Sequence, residues 1–254
     1  MNILLTNDDG INSEGLQKLA GAIKRRGNDK VTIIAPDMNR SGISGAISIL
    51  NEPVLLTAEG EDSWSCSGFP GDCVIIGMKG GLTEAPDIVV SGINRGVNLG
   101  TDLVYSGTAA AARQASLLGV PGIALSLEGR DSFYWDMASS WAADHLDELI
   151  GYWRKDGFVN VNIPNILTGP KGIKAAWPSV KDYHDKLFPV ATPDGKRSFI
   201  LKTGEEEVEK EEGSDFDVVS GNYVSISTLY NYPAVYRDLC PGAPDYAAVA
   251  MRGG

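Results

Sequence analysis

The sequence is poor in the residues that usually build zinc sites or disulfide frameworks. It has two histidines and three cysteines in 254 residues. Cys66, Cys73 and Cys240 are odd in number and follow no framework spacing, so we expect reduced, buried, unreactive thiols and a cytoplasmic protein. Neither His145 nor His184 follows a predicted strand of the core. We therefore expect structural roles for both, His145 on a solvated helix face and His184 in a C-terminal arm.

The chain also lacks a surplus of basic charge and a long apolar run. Its formal net charge at pH 7 is −11, which argues against a nucleic-acid polymer as partner. A small phosphorylated substrate stays compatible, because a bound cation reverses the local potential. The most apolar stretch, residues 108–127, is interrupted by Arg113, Gln114 and Pro121 and does not predict a membrane span. No basic region precedes the first strand, so we expect no signal peptide.

Strand and helix patterns alternate up to residue 165. The apolar runs that predict strands lie at 2–5, 31–35, 87–91, 122–126 and 159–163, the last of which we expect to end the core. Helical patterns lie between them at 14–26 and 108–118. This alternation predicts an α/β fold, a mainly parallel sheet with helices on both faces. Ligands bind such sheets beyond the carboxyl ends of the strands, so the loops after residues 5, 35 and 90 are the expected site.

The pattern changes after residue 165. A Pro-Asp-Gly turn signal at 193–195 separates two extended runs, 187–191 and 198–201, and predicts a protruding β-hairpin. The other expected features are a solvated acidic turn at 205–212, a further strand at 223–229 and a segment at 230–254 that wraps a neighbour or the surface. We therefore expect a core at 1–165 and a C-terminal part at 166–254.

Two adjacent carboxylates follow the first predicted strand. Asp8 and Asp9 stand between Asn7 and Gly10, where the glycine allows a sharp turn. Like charges this close raise each other's pKa unless a cation neutralises them. Oxygen ligands favour Mg²⁺, Mn²⁺ or Ca²⁺ over zinc. Helix capping or turn formation is the alternative, and the tetrapeptide taken alone favours it.

The loop after the second predicted strand contains four polar or small residues in a row. Asn39, Arg40, Ser41 and Gly42 supply an amide, a guanidinium, a hydroxyl and a flexible backbone. Arg40 can pair with a phosphate, Ser41 can bind a hard cation, and Gly42 can open backbone N–H groups to an anion. An ordinary polar turn is the interpretation that the loop taken alone favours.

Polar residues also follow the third strand of the expected site. Asn94 lies just beyond that strand and offers a neutral oxygen ligand. Ser106, Gly107 and Thr108 lie where a helix begins, so their hydroxyls and backbone N–H groups can hold a phosphate. A simple N-cap fits these residues equally well. Because the three loops leave strand ends on one sheet edge, we expect them to form a single site.

Short motifs in these loops carry a resemblance to a known family. They occupy residues 7–10, 35–37 with 39–42, 72–74, 91–94 and 105–108, from Asn-Asp-Asp-Gly to Tyr-Ser-Gly-Thr. In order and spacing they resemble the survival protein SurE family of nucleotide phosphatases. Weaker likeness at 160–164 and 224–227 extends the resemblance to about residue 229.

The resemblance implies a Rossmann-like catalytic core that hydrolyses nucleoside monophosphates. The implied activity is that of a 5'-nucleotidase, extending in some members to 3'-nucleotides and short polyphosphate. One divalent ion per subunit, Mg²⁺ or Mn²⁺ with Ca²⁺ as an alternative in a crystal, is implied on Asp8, Asp9, Ser41 and Asn94. The C-terminal hairpin and arm are implied to form a homodimer or a homotetramer.

The expected mechanism uses the cation to polarise a phosphate oxygen and to acidify a water molecule. Asp9 or Asp8 then accepts the water's proton, and direct attack of Asp8 on phosphorus is the alternative. The residues that we expect to bind the phosphate or the rest of the substrate are Asn39, Arg40, Gly42, Arg95, Asn98, Ser106, Gly107 and Thr108.

Two departures from the family pattern concern substrate specificity. Met38 and the 67–71 segment, with Phe69, differ from the family, so we expect them near the base or sugar pocket.

Two other classes of function are alternatives to a phosphatase. A nucleotide-binding sensor without turnover is the first alternative, which the complete set of expected metal ligands opposes. A glycosyl- or nucleotidyl-transferase is the second, and it would need another substrate site that the sequence does not indicate.

Overall fold

The computed structural model describes residues 1–48, 53–82, 84–202, 204, 206–209 and 211–233. The strands are β1 (Asn2–Thr6), β2 (Lys30–Pro36), β3 (Leu56–Gly60), β4 (Ser63–Cys66), β5 (Ile88–Arg95), β6 (Gly122–Leu127), β7 (Gly157–Ile163), β8 (Ile173–Ala175), β9 (Lys181–Tyr183), β10 (Lys186–Ala191), β11 (Arg197–Lys202), β12 (Glu206–Val208) and β13 (Val224–Tyr230). The α-helices are α1 (Glu14–Arg25), α2 (Pro70–Lys79), α3 (Gly107–Leu117), α4 (Trp135–Asp144), α5 (Leu146–Gly151) and α6 (Asp215–Ser220), with a 3-10 helix at Gly100–Val104.

The main sheet has nine strands in the order β3-β4-β2-β1-β5-β6-β7-β13-β8. The run from β4 to β7 is parallel throughout, which confirms the predicted mainly parallel sheet. Antiparallel strands flank this run, β3 beside β4 and β13 beside β7. The sheet therefore does not end at β7, as the sequence suggested, because β13 returns from the C-terminal part and pairs with it.

Helices cover both faces of the sheet, as predicted. Ile3 and Leu5 of β1 lie in the apolar cluster formed with α1, α4 and α5, and Leu4 between them lies in the cluster formed with α2 and α3. All three side chains are at most 1 % exposed. A strand buried on both faces has a continuous apolar run rather than an alternating one, and this is why the short runs of the sequence predicted the sheet correctly.

The C-terminal part contains the predicted hairpin and returning strand. The strands β10 and β11 pair with each other in antiparallel fashion, and β13 matches the strand predicted at 223–229. The prediction of a solvated turn at 205–212 is wrong for residues 206–208, because β12 pairs with β9 there. The arm predicted at 230–254 lies outside the described residues beyond 233.

The structure has helices that the sequence pattern did not predict, α2 among them, and places His145 differently from the prediction. The segment 70–79 forms α2, which its Pro-Gly-Asp sequence concealed, since proline is favoured at the first positions of a helix. His145 separates α4 from α5, is half-buried and stacks on Trp141 with ring centroids 4.4 Å apart, so its predicted solvated position is wrong. His184 is exposed between β9 and β10.

The cysteines agree with the sequence as far as the structure describes them. Cys66 and Cys73 are free thiols with no exposed surface, and Cys240 lies outside the described residues. Burial raises the pKa of Cys73 well above its usual value, which makes its thiolate rare near neutral pH. In the described ranges, no helix has the length and apolar character that crossing a bilayer requires.

Candidate active site

A cleft of about 740 Å³ opens at the carboxyl edge of the sheet, where the loops after β1, β2 and β5 meet the start of α3. Seven of the residues expected from the sequence line it: Asp8, Ser41, Gly42, Asn94, Arg95, Asn98 and Ser106. The other five, Asp9, Asn39, Arg40, Gly107 and Thr108, lie outside the lining and each adjoins one of these residues. The fold thus gathers the whole set around one opening.

Asn7 holds the turn that follows β1. Its Oδ1 accepts a hydrogen bond from the Gly10 N–H at 3.2 Å, and its Nδ2 donates to Gly10 O and to Ser13 Oγ at 2.9 and 2.6 Å. Gly10 has a φ of +102°, and a Cβ on it would lie 3.2 Å from the Met38 carbonyl carbon. The turn therefore requires glycine at this position.

Neither aspartate is the N-cap residue of the helix that follows. α1 begins at Glu14 with Ser13 as its N-cap residue, so the capping alternative for Asp8 and Asp9 is wrong, while the turn that the sequence also allowed is present at 7–10. The two carboxylates are instead directed to the start of α3 and to the end of β5. Their position beyond the carboxyl end of β1 is the place where open α/β sheets bind ligands.

Asp8 lies against the first turn of α3 and is only 3 % exposed. Thr108 Oγ1 donates to Asp8 Oδ1 at 2.5 Å, and the Thr108 N–H donates to Asp8 Oδ2 at 3.1 Å. A Cβ on Gly107 would lie 2.8 Å from Asp8 Cβ, so this approach also depends on glycine. Burial raises the pKa of Asp8, and the hydrogen bonds from Thr108 and the helix start oppose that rise.

Asp9 is half-buried at the other side of the turn. Its Oδ2 accepts a hydrogen bond from the Arg95 N–H at 3.1 Å. Burial raises the pKa of Asp9 to about 6, with a smaller contribution from the neighbouring charge of Asp8. A carboxylate with a pKa near neutrality can both accept and release a proton under ordinary conditions.

The serine loop presents its polar groups to the cleft through an internal hydrogen bond. Asn39 Oδ1 accepts from the Ser41 N–H at 2.8 Å, which shapes the loop before Gly42. Ser41 is exposed and lines the cleft. Its hydroxyl is therefore accessible to a ligand that enters the cleft.

Arg40 contacts Asp8 through its backbone, but its guanidinium binds residues outside the cleft lining. Its N–H donates to Asp8 O at 2.6 Å, while Nη2 donates to Ser67 O at 3.0 Å and to Asp37 Oδ1 at 3.2 Å. The guanidinium carbon lies 5.6 Å from the centre of the Phe69 ring. Phe69 thus supports Arg40 and does not line the cleft, and the phosphate contact expected of Arg40 would require its side chain to change partners.

Asn94 is the penultimate residue of β5 rather than a residue just beyond the strand, as predicted, and it reaches the cleft through an irregularity in that strand. The register between β5 and β6 shifts between Ser91 and Asn94, and such a shift turns the following side chains relative to the regular strand. Asn94 Nδ2 donates to Gly96 O at 2.9 Å. That bond occupies the amide nitrogen, so the amide oxygen is the atom suited to a cation.

Ser106 is an N-cap residue as well as a cleft residue. Its Oγ accepts from the Ala109 N–H at 3.0 Å, so the N-cap alternative of the sequence is confirmed for Ser106. Thr108 does not cap the helix, because its hydroxyl and its N–H both bind Asp8. The first turn of α3 therefore directs donors at a carboxylate of the protein itself.

The donor set fits a hard divalent cation. Asp8 and Asp9 are adjacent carboxylates with raised pKa values, and Ser41 and Asn94 add neutral oxygens from the neighbouring loops. Such oxygens are the ligands that Mg²⁺ and Mn²⁺ accept. Within the described part of the chain, no group of three or more His, Cys, Asp and Glu side chains is arranged to hold a metal. A cation here would consequently rest on two carboxylates and neutral oxygens.

Residues of the C-terminal part, which no sequence pattern indicated, also line the cleft. Lys181 and Tyr183 of β9 line it, and both bind Asp102, Lys181 Nζ at 2.6 Å from Asp102 Oδ2 and Tyr183 through its hydroxyl. The buried carboxylate of Asp215 accepts from the Gly100 N–H at 2.8 Å and so ties α6 to the 3-10 helix. β9 has three residues and no periodic pattern, so only these long-range contacts reveal its place.

Comparison with known proteins identifies the family to which this fold and this cleft belong. The family model described as "Survival protein SurE" matches residues 3–185. The 5'-nucleotidase SurE of Geobacter sulfurreducens is 38 % identical over 234 residues, which cover 91 % of this chain and 88 % of that protein. The 5'/3'-nucleotidase SurE of Escherichia coli O17:K52:H18 is 37 % identical over 232 residues, which cover 91 % and 90 %.

A solved structure agrees as well. The crystal structure of the Sure protein from Aquifex aeolicus superposes with a TM-score of 0.80 at 34 % sequence identity, covering 93 % of this chain and 96 % of that one. The likeness thus extends over sequence, fold and nearly the full length of each partner. This chain belongs to the survival protein SurE family.

Proposed function

We propose that this protein is a metal-dependent phosphatase that hydrolyses nucleoside monophosphates to nucleoside and phosphate. The observation that carries the proposal is the pair Asp8–Asp9, held at the carboxyl edge of the sheet beside the start of α3. The related proteins named 5'-nucleotidase and 5'/3'-nucleotidase support a 5'-nucleotidase whose range extends to 3'-nucleotides. Short polyphosphate is a further substrate that we propose.

The proposed metal ligands are Asp8, Asp9, Ser41 and Asn94, and the proposed ion is one Mg²⁺ or Mn²⁺ per subunit. When bound, such an ion polarises a phosphate oxygen and lowers the pKa of a water molecule. Two carboxylates with raised pKa values are costly to keep charged side by side, and a cation removes that cost.

The chain's own residues divide the remaining work. Asp9 is the proposed general base, because its pKa of about 6 leaves it ionised but able to accept a proton at neutral pH. Asp8 has both oxygens bound to Thr108 and is more firmly held. The proposed groups that stabilise charge on the transferred phosphoryl are Gly42, Arg95, Asn98 and Ser106 of the cleft lining, with Asn39, Arg40, Gly107 and Thr108 beside them.

The C-terminal hairpin is the proposed contact between subunits. Leu187, Phe199 and Leu201 are 64, 57 and 62 % exposed, and β10–β11 forms a sheet of its own. An isolated two-stranded hairpin is marginally stable in water, and apolar side chains on it favour burial against another surface. We propose a homodimer or a homotetramer, with residues 1–165 as the catalytic core and 166–254 as the part that mediates assembly. The free thiols of Cys66 and Cys73 support a cytoplasmic location.

Phosphate release from AMP, GMP and p-nitrophenyl phosphate tests the proposal directly. We expect release with Mg²⁺ or Mn²⁺, no release after EDTA, and a loss of at least about 100-fold in Asp8→Asn. Asp136→Asn is a matched control, since that carboxylate pairs with Lys18 at the surface and its side chain is 81 % exposed. Nucleotide binding without any metal-dependent release would favour the sensor instead.

A further inference from the structure

Asn98 is held in the cleft by buried polar side chains of β6 and β7. Asn162 Oδ1 accepts from the Asn98 N–H at 2.8 Å, and Asn162 Nδ2 donates to Asn98 O at 3.1 Å. Asn160 Nδ2 donates to the same carbonyl oxygen at 3.0 Å. Ser126 Oγ accepts from Asn98 Nδ2 at 2.8 Å. Backbone and side chain of Asn98 are thus both restrained.

These partners are polar groups in an otherwise apolar interior. Asn160, Asn162 and Ser126 have no exposed surface, and Asn98 is 7 % exposed. Burying such side chains costs free energy unless they are hydrogen-bonded, and apolar residues would serve a core strand better. The neighbouring Val161 does belong to the apolar cluster on the other face of the sheet. The polar side of β7 is therefore not required by core packing, and its hydrogen bonds lead to Asn98.

The pairing between Asn162 and Asn98 resembles one rung of a β-ladder. A single carboxamide accepts from the N–H and donates to the C=O of the same residue, which fixes both the position and the direction of that backbone unit. Aspartate at 162 would keep the acceptor and lack the donor, and alanine would lack both. Asn160 contributes one bond and is the weaker support.

Asn98 lines the cleft, and its carboxamide has more hydrogen-bonding groups than the one that Ser126 binds. One N–H of Nδ2 is used by Ser126, so the other N–H and Oδ1 are available to a group in the cleft. Donors that stabilise a reacting group act best when they are fixed before the reaction, because no reorganisation is then needed. A displacement of about 1 Å at such a group can cost on the order of 100-fold in rate.

We propose that Asn160 and Asn162 are positioning residues that act through Asn98. They hold the backbone of Asn98 and thereby place its carboxamide against the phosphoryl group that is transferred, and they make no contact with substrate themselves. This inference rests on the proposed phosphatase function, in which Asn98 meets the phosphate. Their contribution should appear in turnover, since the contact they prepare matters most in the transition state.

A double-mutant cycle with the full-length protein tests the inference. We expect Asn98→Ala and Asn162→Ala each to lower kcat for AMP by on the order of 10- to 100-fold, with KM changed less than about threefold. The double variant should fall no more than about threefold below Asn98→Ala, because removing the support of an absent side chain has no further effect. Val161→Ala is the matched control, a truncation in the same strand that faces away from Asn98 and should keep kcat within about threefold.

The contrary outcomes are distinct. Multiplicative losses in the double variant, or an equal loss of kcat in Val161→Ala, would overturn the positioning role. So would loss of Mn²⁺ affinity in Asn162→Ala, measured by isothermal titration, because that would indicate general disruption of the site. If Asn162→Ala does not fold, Asn160→Ala enters the same cycle, with the same non-additivity expected.

Failure of the proposed function would be recognised separately. A wild-type protein that releases no phosphate from any nucleotide refutes the phosphatase and leaves the hydrogen bonds to be tested. The Kd for orthophosphate is then measured for each protein of the same double-mutant cycle. Additive changes in that Kd would overturn the role of Asn160 and Asn162, and non-additive changes would support it.

Discussion

Replacing Thr108 with valine would remove one hydroxyl from the candidate site and leave the shape of the side chain. Thr108 has no exposed surface, and its Oγ1 donates at 2.5 Å to the buried carboxylate of Asp8. A hydrogen bond to a charged group contributes about 1.5–3 kcal/mol, more than a bond between neutral groups. We therefore expect Thr108→Val to lower the free energy of unfolding by about 1.5–3 kcal/mol wherever Asp8 is ionised.

The size of that loss should depend on pH in a defined direction. Burial raises the pKa of Asp8, the bonds from Thr108 lower it, and without the hydroxyl the pKa rises further. The difference between wild type and variant grows as pH rises through the folded pKa, because only the ionised carboxylate needs the donor. It shrinks as pH falls and Asp8 is protonated in both proteins. Urea unfolding in EDTA, at one pH above and one pH below the range in which the two proteins begin to differ, measures this change.

Thr108→Ser is the matched control, since it keeps the hydroxyl and loses one methyl group. It should cost about 0.8 kcal/mol, the value of one buried methylene-sized group, at either pH. Phosphate release should follow the same order, with the serine variant active and the valine variant impaired because Asp8 is no longer held. Equal stability of the valine and serine variants at the higher as well as the lower pH would refute the assignment of Thr108 as the partner of an ionised Asp8.

Three further changes probe other parts of the molecule. Asp9→Asn should stabilise the EDTA-treated protein at neutral pH and not at about pH 4. The folded pKa of Asp9 is raised to about 6, so the stability that its protonated form provides is lost as pH rises through that value. Thermal scans across pH in which the melting temperatures of variant and wild type do not diverge would contradict this. Gly107→Ala should lower the free energy of unfolding by about 1–3 kcal/mol and abolish turnover, since its Cβ would lie 2.8 Å from Asp8 Cβ. Calorimetry measures the first effect and phosphate release the second, and unchanged values would contradict the close approach. Phe199→Asp, at an exposed position of the hairpin, should lower the mass measured by light scattering from that of an oligomer to that of a monomer. Lys196→Asp is the control, since it changes charge outside the apolar surface. An unchanged mass in Phe199→Asp would exclude Phe199 from the subunit contact.

Several features of the fold were accessible from local sequence because their causes are local. The short apolar run at 2–5 is buried on both sides, and α1 ends where Lys24, Arg25 and a following glycine predict its end. α2 was missed because its first turn has the composition of a loop, although Pro70 is in fact suited to a helix start. β12 was missed because its acidic residues indicate solvent, while its pairing depends on β9, more than twenty residues earlier in the chain.

By itself the sequence determined that Asp8, Asp9, Ser41 and Asn94 follow strand ends of one sheet, because the carboxyl ends of parallel strands share an edge. Only the tertiary structure decided what each polar group contacts there. Thr108, which local pattern placed on a phosphate, is turned to Asp8, and the buried Asn162 reaches the backbone of Asn98, 64 residues away in sequence. Periodicity reports which face of an element is buried, whereas hydrogen-bond partners brought together from distant parts of the chain leave no local pattern.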